Sequence, residues 1–177
     1  EDVFGEVKIQ CTGNCIDVGT YVASYIFNEN IIATVSFTIT PRTIIITDIE
    51  GLERVYDGTT KVDLSTATKV VYTNGIDGKP LEFDLSKAIA TADNTNVGAG
   101  ILVTLDGNIT VKGDEKNNYQ CVVLDDNRIT VNITPATLTI TPDAKTSEQY
   151  YKLPGLTYKV TGLIGTDTLT KAPALTT

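Results

Sequence analysis

The feature that most constrains the fold is a repeated pair of strand-like segments joined by a single proline. The first copy spans residues 34–47 and the second spans residues 128–141. Pro41 and Pro135 are the matching points, so the offset is 135 − 41 = 94 residues. On both sides of each proline, Ile, Val and Thr alternate in the pattern of half-buried β-strands. Because proline cannot donate to a strand ladder, each proline is predicted to mark the place where one sheet ends and the next begins.

This repeat predicts one whole module flanked by two partial ones. Residues 43–136 form the complete module, residues 1–42 the C-terminal half of a preceding module, and residues 137–177 the N-terminal half of a further one. We expect the chain to be a slice of a tandem array, with any targeting segment elsewhere. A weaker echo supports the division, since Asn96-Val-Gly98 matches Asp17-Val-Gly19.

Short strand patterns at regular spacing, separated by turn signals, predict an all-β fold. A tandem of small, Ig-like β-sandwich modules is the favoured architecture. A β-grasp-like sheet with one helix is the alternative, since Leu81, Leu85 and Ile89 have a spacing of four that suits a helical turn. The short run 88–92 favours an extended strand there instead.

The charge balance argues against two classes of partner. The net charge is −8, with 22 acidic and 14 basic residues. Nucleic-acid binding needs a stripe of Lys and Arg, so it is not expected. No apolar run approaches the roughly 20 residues of a membrane-spanning helix, so membrane insertion is not expected either.

The composition also argues against catalysis. The chain has no histidine, which removes Ser-His-Asp and Cys-His catalysis and the common zinc sets. Its carboxylates fall mainly at glycine-flanked turns, where bonding to the local backbone accounts for them. We therefore predict no enzymatic activity, no catalytic residue, no cofactor and no metal site. Calcium is kept as an alternative at four turn aspartates, Asp77, Asp106, Asp125 and Asp126.

Several short motifs occur in the order of a known family. They are Val-Tyr-Asp-Gly-Thr-Thr at 55–60, Asn-Val-Gly at 96–98, Gly-Asp at 113–114 with Asn-Tyr at 118–119, and Ile-Thr-Pro-Ala-Thr-Leu-Thr-Ile at 133–140. Together they resemble the bacterial YDG repeat module. The segments 138–141, 154–158, 160–163 and 165–169 resemble the start of the related MBG module, and 17–21 with 39–41 resemble the end of one. One departure is Tyr150-Tyr-Lys-Leu, where the MBG pattern has a Tyr-Gly-Asp turn.

The resemblance implies a secreted or cell-surface bacterial protein, adhesin-like, in which such modules form a stalk. The predicted function is a structural spacer, with neighbouring modules of the array as partners. The alternative is a module that binds glycan or host protein through loops at 74–79 or 114–118. Its aromatic contacts would have to come from four tyrosines, Tyr72, Tyr119, Tyr150 and Tyr151.

The cysteines and the Tyr-Asp-Gly motif have structural interpretations. Cys11 and Cys15 are four residues apart across a Gly-Asn turn, and export together with this turn favours a small disulfide over two reduced thiols. Cys121 aligns with Phe27 at the 94-residue offset, which predicts a buried apolar strand position. Tyr56 is predicted to fill the end of the core, while Asp57-Gly58 makes the turn.

The partial modules predict self-association. Each leaves a sheet edge and an apolar face open. We call residues 1–42 the head and residues 137–177 the tail. We therefore expect the head of one molecule to pair with the tail of another. The alternative is that each half is a small ordered unit by itself.

Overall fold

The computed structural model describes residues 7–124, 129–152 and 154–174. These residues form fifteen β-strands and two short 3-10 helices, at Leu64–Thr66 and Asp114–Asn118. The strands are β1 (Val7–Cys11), β2 (Gly19–Phe27), β3 (Asn30–Ile39), β4 (Arg42–Glu50), β5 (Leu52–Val55), β6 (Lys61–Val62), β7 (Lys69–Thr73), β8 (Phe83–Asp84), β9 (Ala88–Ala92), β10 (Gly98–Gly107), β11 (Thr110–Val111), β12 (Tyr119–Val123), β13 (Thr130–Thr134), β14 (Thr139–Pro142) and β15 (Tyr158–Thr161).

The head of the chain is a three-stranded antiparallel sheet in the order β1-β2-β3. A tight hairpin joins β2 to β3 through Asn28 and Glu29, whose φ angles are 46° and 65°. Positive φ at both central residues matches the twist of the flanking strands, as in type I′ turns. Gly19 lies opposite Ile39 in this sheet. Ile39 is two residues before Pro41.

Between head and tail lies the central segment, residues 43–136, which we call the central module below. It contains two larger sheets. One has the order β5-β13-β10-β9-β6 and the other the order β12-β4-β7. Most pairings are antiparallel, but β5 runs parallel to β13 and β4 runs parallel to β12. The strands that follow Pro41 are thus held by the strands that precede Pro135, which closes the central segment into one unit.

The core lies between these two sheets and is built from β-branched and leucine side chains. Alternation along β4 buries Ile44 and Ile46, while alternation along β13 buries Val131 and Ile133. The members of the buried cluster are Ile46, Ile49, Leu52, Val62, Leu64, Ala90, Ala92, Val103, Ile109, Ile129, Val131 and Ile133. Burial of such apolar area is the main stabilising term for a unit of this size.

The change of sheet predicted at each proline is confirmed. β3 and β4, on either side of Pro41, belong to different sheets. β13 and β14, on either side of Pro135, also belong to different sheets, because among the described residues β14 pairs with β15 alone, in a two-stranded sheet. The division into residues 1–42, 43–136 and 137–177 as half, whole and half modules stays a prediction.

The all-β class is confirmed, and the two sheets around one core are compatible with a sandwich. Within the described ranges the two helices have three and five residues, so the longer helix of a β-grasp fold is not found there. Ala88–Ala92 is strand β9, as the extended interpretation of that run predicted.

Candidate functional site: the two ends of the central module

The Tyr56-Asp57-Gly58 turn follows β5 at one end of the central module. The Tyr56 backbone N–H donates to the Thr134 carbonyl at 2.8 Å, which extends the parallel pairing of β5 with β13. Asp57 then accepts from the Thr59 backbone N–H at 2.8 Å and from the Thr59 hydroxyl at 2.9 Å. These two bonds, with a further contribution from Arg54, lower the pKa of Asp57.

Arg54 fixes this turn from the inside. Its side chain is almost fully buried, and its guanidinium donates to the Asp57 carboxylate and to the Thr59 carbonyl. Its Nε has no hydrogen-bond partner among the described residues. These charge-assisted bonds link Arg54 to two residues of the turn and stabilise its observed conformation.

The same turn touches the tail of the chain. Hydrogen bonding to the Asp167 carboxylate raises the pKa of Tyr56. A Cβ placed on Gly58 would lie 3.2 Å from Ile164 Cγ2. Tyr56 also packs against the core, as predicted. The closeness of this turn to the tail was not predicted, because residue 164 lies over a hundred positions away with no local pattern to link the two.

Asn118 joins the head to the opposite part of the module. Its side-chain Nδ2 donates to Asp17 Oδ1 at 2.5 Å, and its Oδ1 accepts from the Val18 backbone N–H at 2.8 Å. The bond from Asn118, followed by one from Asn14, lowers the pKa of Asp17. One amide thus uses both its donor and its acceptor on consecutive residues of the head.

The head loop that meets Asn118 is itself tied down. Cys11 and Cys15 form a disulfide, with Cα atoms 6.4 Å apart. The Tyr21 hydroxyl donates to the Asp17 carbonyl at 2.9 Å. Cross-links and local bonds of this kind reduce the conformations that the loop must give up when it docks.

Internal contacts hold the start of the proposed binding loop at 74–79 and the residues on either side of it. Arg42 Nε donates to the Asn74 carbonyl at 2.6 Å, and Asn74 Nδ2 donates to the Thr43 carbonyl at 2.6 Å. The Tyr72 hydroxyl accepts from the Leu81 N–H at 3.0 Å, and its ring lies 5.1 Å from that of Phe83. Tyr119 is half-buried, whereas two consecutive tail tyrosines are exposed, Tyr150 and Tyr151.

The remaining sequence candidates have local roles. Cys121 is half-buried against the core, and burial raises the pKa of its thiol. Asp106 accepts from the Gly107 N–H at 2.7 Å. Asp125 and Asp126 lie outside the described residues. Over the described ranges, no group of three His, Cys, Asp or Glu side chains could hold a metal ion, and no helix is long and apolar enough to cross a membrane.

An open groove of about 1220 Å³ lies along the side of the central module. Arg54, Lys61 and Lys112 line it beside the apolar Leu64 and Phe83. Its carboxylates include Asp57 and Asp63, and both accept bonds from the backbone two residues on. They are therefore committed to turn formation.

The carboxylates that form turns make the free energy of unfolding depend on pH in the acid range. Bonds from neighbouring backbone or side-chain groups lower the pKa of four of them, Asp17, Asp57, Asp63 and Asp84. A lowered pKa in the folded state adds stability above the unfolded value of 3.8, and this is lost as pH falls through the folded values. We expect the urea midpoint to be flat from about pH 7 to pH 5 and to fall below about pH 4. Asp63→Asn should reduce that fall, and a midpoint that rises on acidification would contradict the prediction.

Comparison with known proteins gives one match. No curated protein and no solved structure matches the chain. A family profile described as the YDG domain matches residues 40–128, half of the 177 residues. The matched range contains Gly58, which lies close to Ile164 of the tail, and Asn118, which bonds the head. The chain belongs to the YDG domain family.

Proposed function

We propose that this chain is a structural spacer segment of a secreted or cell-surface bacterial protein, adhesin-like, and that it has no catalytic activity. The observation that carries the proposal is the placement of two family-motif residues. Gly58 of the Tyr-Asp-Gly motif lies close to Ile164 of the tail, and Asn118 bonds the head. Residues that mark a module and also meet its neighbours are suited to transmit a fixed orientation along an array.

The linker at Pro41 supports this interpretation. Arg42 follows the proline directly, and its guanidinium donates to the Asn74 carbonyl, the Asn74 side chain and the Gly75 carbonyl. Proline itself restricts the backbone before and at its position. These bonds anchor the residue after Pro41 to the central module, and Asn118 holds the head at a second place.

The cellular location is supported by the cysteine chemistry. A disulfide between Cys11 and Cys15 is typical of proteins that mature in an oxidising compartment. The absence of catalysis is supported by two carboxylates of the groove, Asp57 and Asp63, which serve turns. A general acid or base would need a carboxyl group free to exchange a proton with a substrate.

A binding module remains the alternative function. Two consecutive exposed aromatic side chains, Tyr150 and Tyr151, favour it, because exposed aromatic rings are enriched at binding hot spots. Binding of a glycan or host protein that is lost in Tyr151→Ala would favour this alternative over a spacer.

Measuring the orientation of the head tests the proposed spacer function. Spin labels at Thr34→Cys and Thr104→Cys, in a Cys121→Val background, report the distance between head and central module. We expect one narrow distance distribution in the parent chain. Asn118→Ala should widen it about twofold, since flexible docking is the default when an interface is small.

Asn108→Ala is the matched control, because Asn108 is exposed in the turn after β10 and no described side-chain bond involves it. Its distribution should equal that of the parent. A broad distribution in the parent chain, or an unchanged one in Asn118→Ala, would overturn the rigid-spacer proposal.

A further inference from the structure

Strand β3 exposes apolar side chains at positions that are buried in the central module. Val35 and Phe37 are 48% and 37% exposed. Their counterparts at the 94-residue offset are Ile129 and Val131, which are 4% and 0% exposed. The head sheet therefore presents a face of the kind that the central module covers with its second sheet.

The tail hairpin shows the complementary pattern. Leu138 and Ile140 are 40% and 39% exposed, whereas their counterparts Ile44 and Ile46 are fully buried. β14 pairs antiparallel with β15, as β4 pairs with β7. The tail hairpin thus corresponds to part of the second sheet, and its apolar face is also uncovered.

The outer edge of β3 is open in the part of the chain that the structure describes. Gly19 pairs with Ile39 as Gly98 pairs with Ile133, so β2 and β3 begin their pairing at the positions that match β10 and β13. A bulge between Gly98 and Ile101 shifts the later pairs of β10 and β13 by one residue. In the central module the other edge of β13 is occupied by β5, in parallel. An unpaired strand edge with its N–H and C=O groups free is a template for strand addition.

The tail contains the counterpart of β5. Residues 146–149 precede Tyr150 as Leu52–Val55 precedes Tyr56 at the same 94-residue offset. Residues 143–148 belong to no strand, residue 149 lies in a turn, and Tyr150 is almost fully exposed. Tyr56 instead packs at the core. The segment that would pair with β3 is therefore itself without a strand partner.

We propose that residues 146–149 of one copy of this chain add in parallel to the β3 edge of a second copy. The pairing of β13 with β5, in which Asn132 lies opposite Glu53, fixes the register. It places Ser147 opposite Thr38. Leu138 and Ile140 of the added tail then cover Val35 and Phe37, and copies join end to end. This goes beyond the proposed spacer function, because it assigns a partner and a binding edge.

Two complementary variants test the proposal. Phe37→Glu blocks the head surface and leaves the tail intact, while Ile140→Glu blocks the tail and leaves the head intact. In sedimentation velocity the parent chain should grow in mass as its concentration rises from micromolar to millimolar. Each variant alone should stay monomeric, and an equimolar mixture should form a heterodimer that grows no further. Rescue on mixing shows that neither surface failed through misfolding.

Disulfide trapping tests the register. Cα atoms on paired strands lie within the range that a disulfide can bridge. In a Cys121→Val background, Thr38→Cys mixed with Ser147→Cys should give about tenfold more cross-linked dimer than Thr38→Cys mixed with Thr104→Cys. Thr104 is exposed on the central module and serves as the control.

A parent chain that stays monomeric at millimolar concentration, a mixture of the two variants that stays monomeric, or equal cross-linking at positions 147 and 104 would overturn the proposal. None of these results would change the distance distribution between head and central module, so the spacer function would stand or fall separately.

Discussion

Replacing Ile46 by alanine is expected to destabilise the central module by about 2–5 kcal/mol, the usual cost of removing a large buried aliphatic side chain. Ile46 is fully buried between the two sheets and belongs to the cluster that includes Val131 and Ile133. The loss in free energy of unfolding has two parts. One is the transfer free energy of the removed carbon groups, and the other is the cost of the cavity that the closely packed neighbours cannot fill. The shift of the urea midpoint, taken with the slope of the transition, measures it.

Ile140→Ala is the matched control. The residue type and the repeat position are identical, yet Ile140 is 39% exposed. Ile140→Ala should therefore cost below about 1 kcal/mol in dilute solution, where little buried area is lost. Equal losses at the two positions would contradict the burial difference on which the head-to-tail assembly depends.

The sequence was sufficient for the parts of the fold that depend on local chemistry. A proline between two alternating runs predicts a change of sheet whatever the tertiary context, because its ring removes a ladder donor. The match between Asp17-Val-Gly19 and Asn96-Val-Gly98 likewise had a structural meaning. Gly19 pairs with Ile39, two residues before Pro41. Gly98 pairs with Ile133, two residues before Pro135.

The contacts at the two ends of the module could not be predicted in this way. Asn118 and Asp17 are 101 residues apart in the chain, and neither alternation nor turn chemistry relates them. The parallel pairing of β5 with β13 is equally non-local. One signal was available: Asn118 is a family-motif side chain that the short 3-10 helix does not itself need, and such a residue is a candidate for a contact elsewhere.

Gly107→Ala is expected to lower the free energy of unfolding more than Gly78→Ala, although the two glycines have similar φ angles. Gly107 and Gly78 have φ of 85° and 75°. An alanine in this region costs about 1–2 kcal/mol through steric strain alone. At Gly78 no atom lies within 4 Å of the added Cβ, whereas at Gly107 the Lys87 carbonyl oxygen would lie at 2.4 Å. That oxygen is backbone, so no side-chain rotation relieves the clash.

The excess cost at Gly107 should appear in the pairing of β9 with β10. Gly107 lies opposite Ala88 in that ladder, and the same strand carries the buried Ala90 and Ala92. Moving the backbone at one end of the ladder displaces these core residues, so we expect Gly107→Ala to exceed Gly78→Ala by about 2 kcal/mol or more. Urea unfolding gives the difference, and hydrogen exchange at Ala90 and Ala92 should quicken only in Gly107→Ala. Equal losses in the two variants would mean that the approach of Lys87 to Gly107 does not constrain the fold.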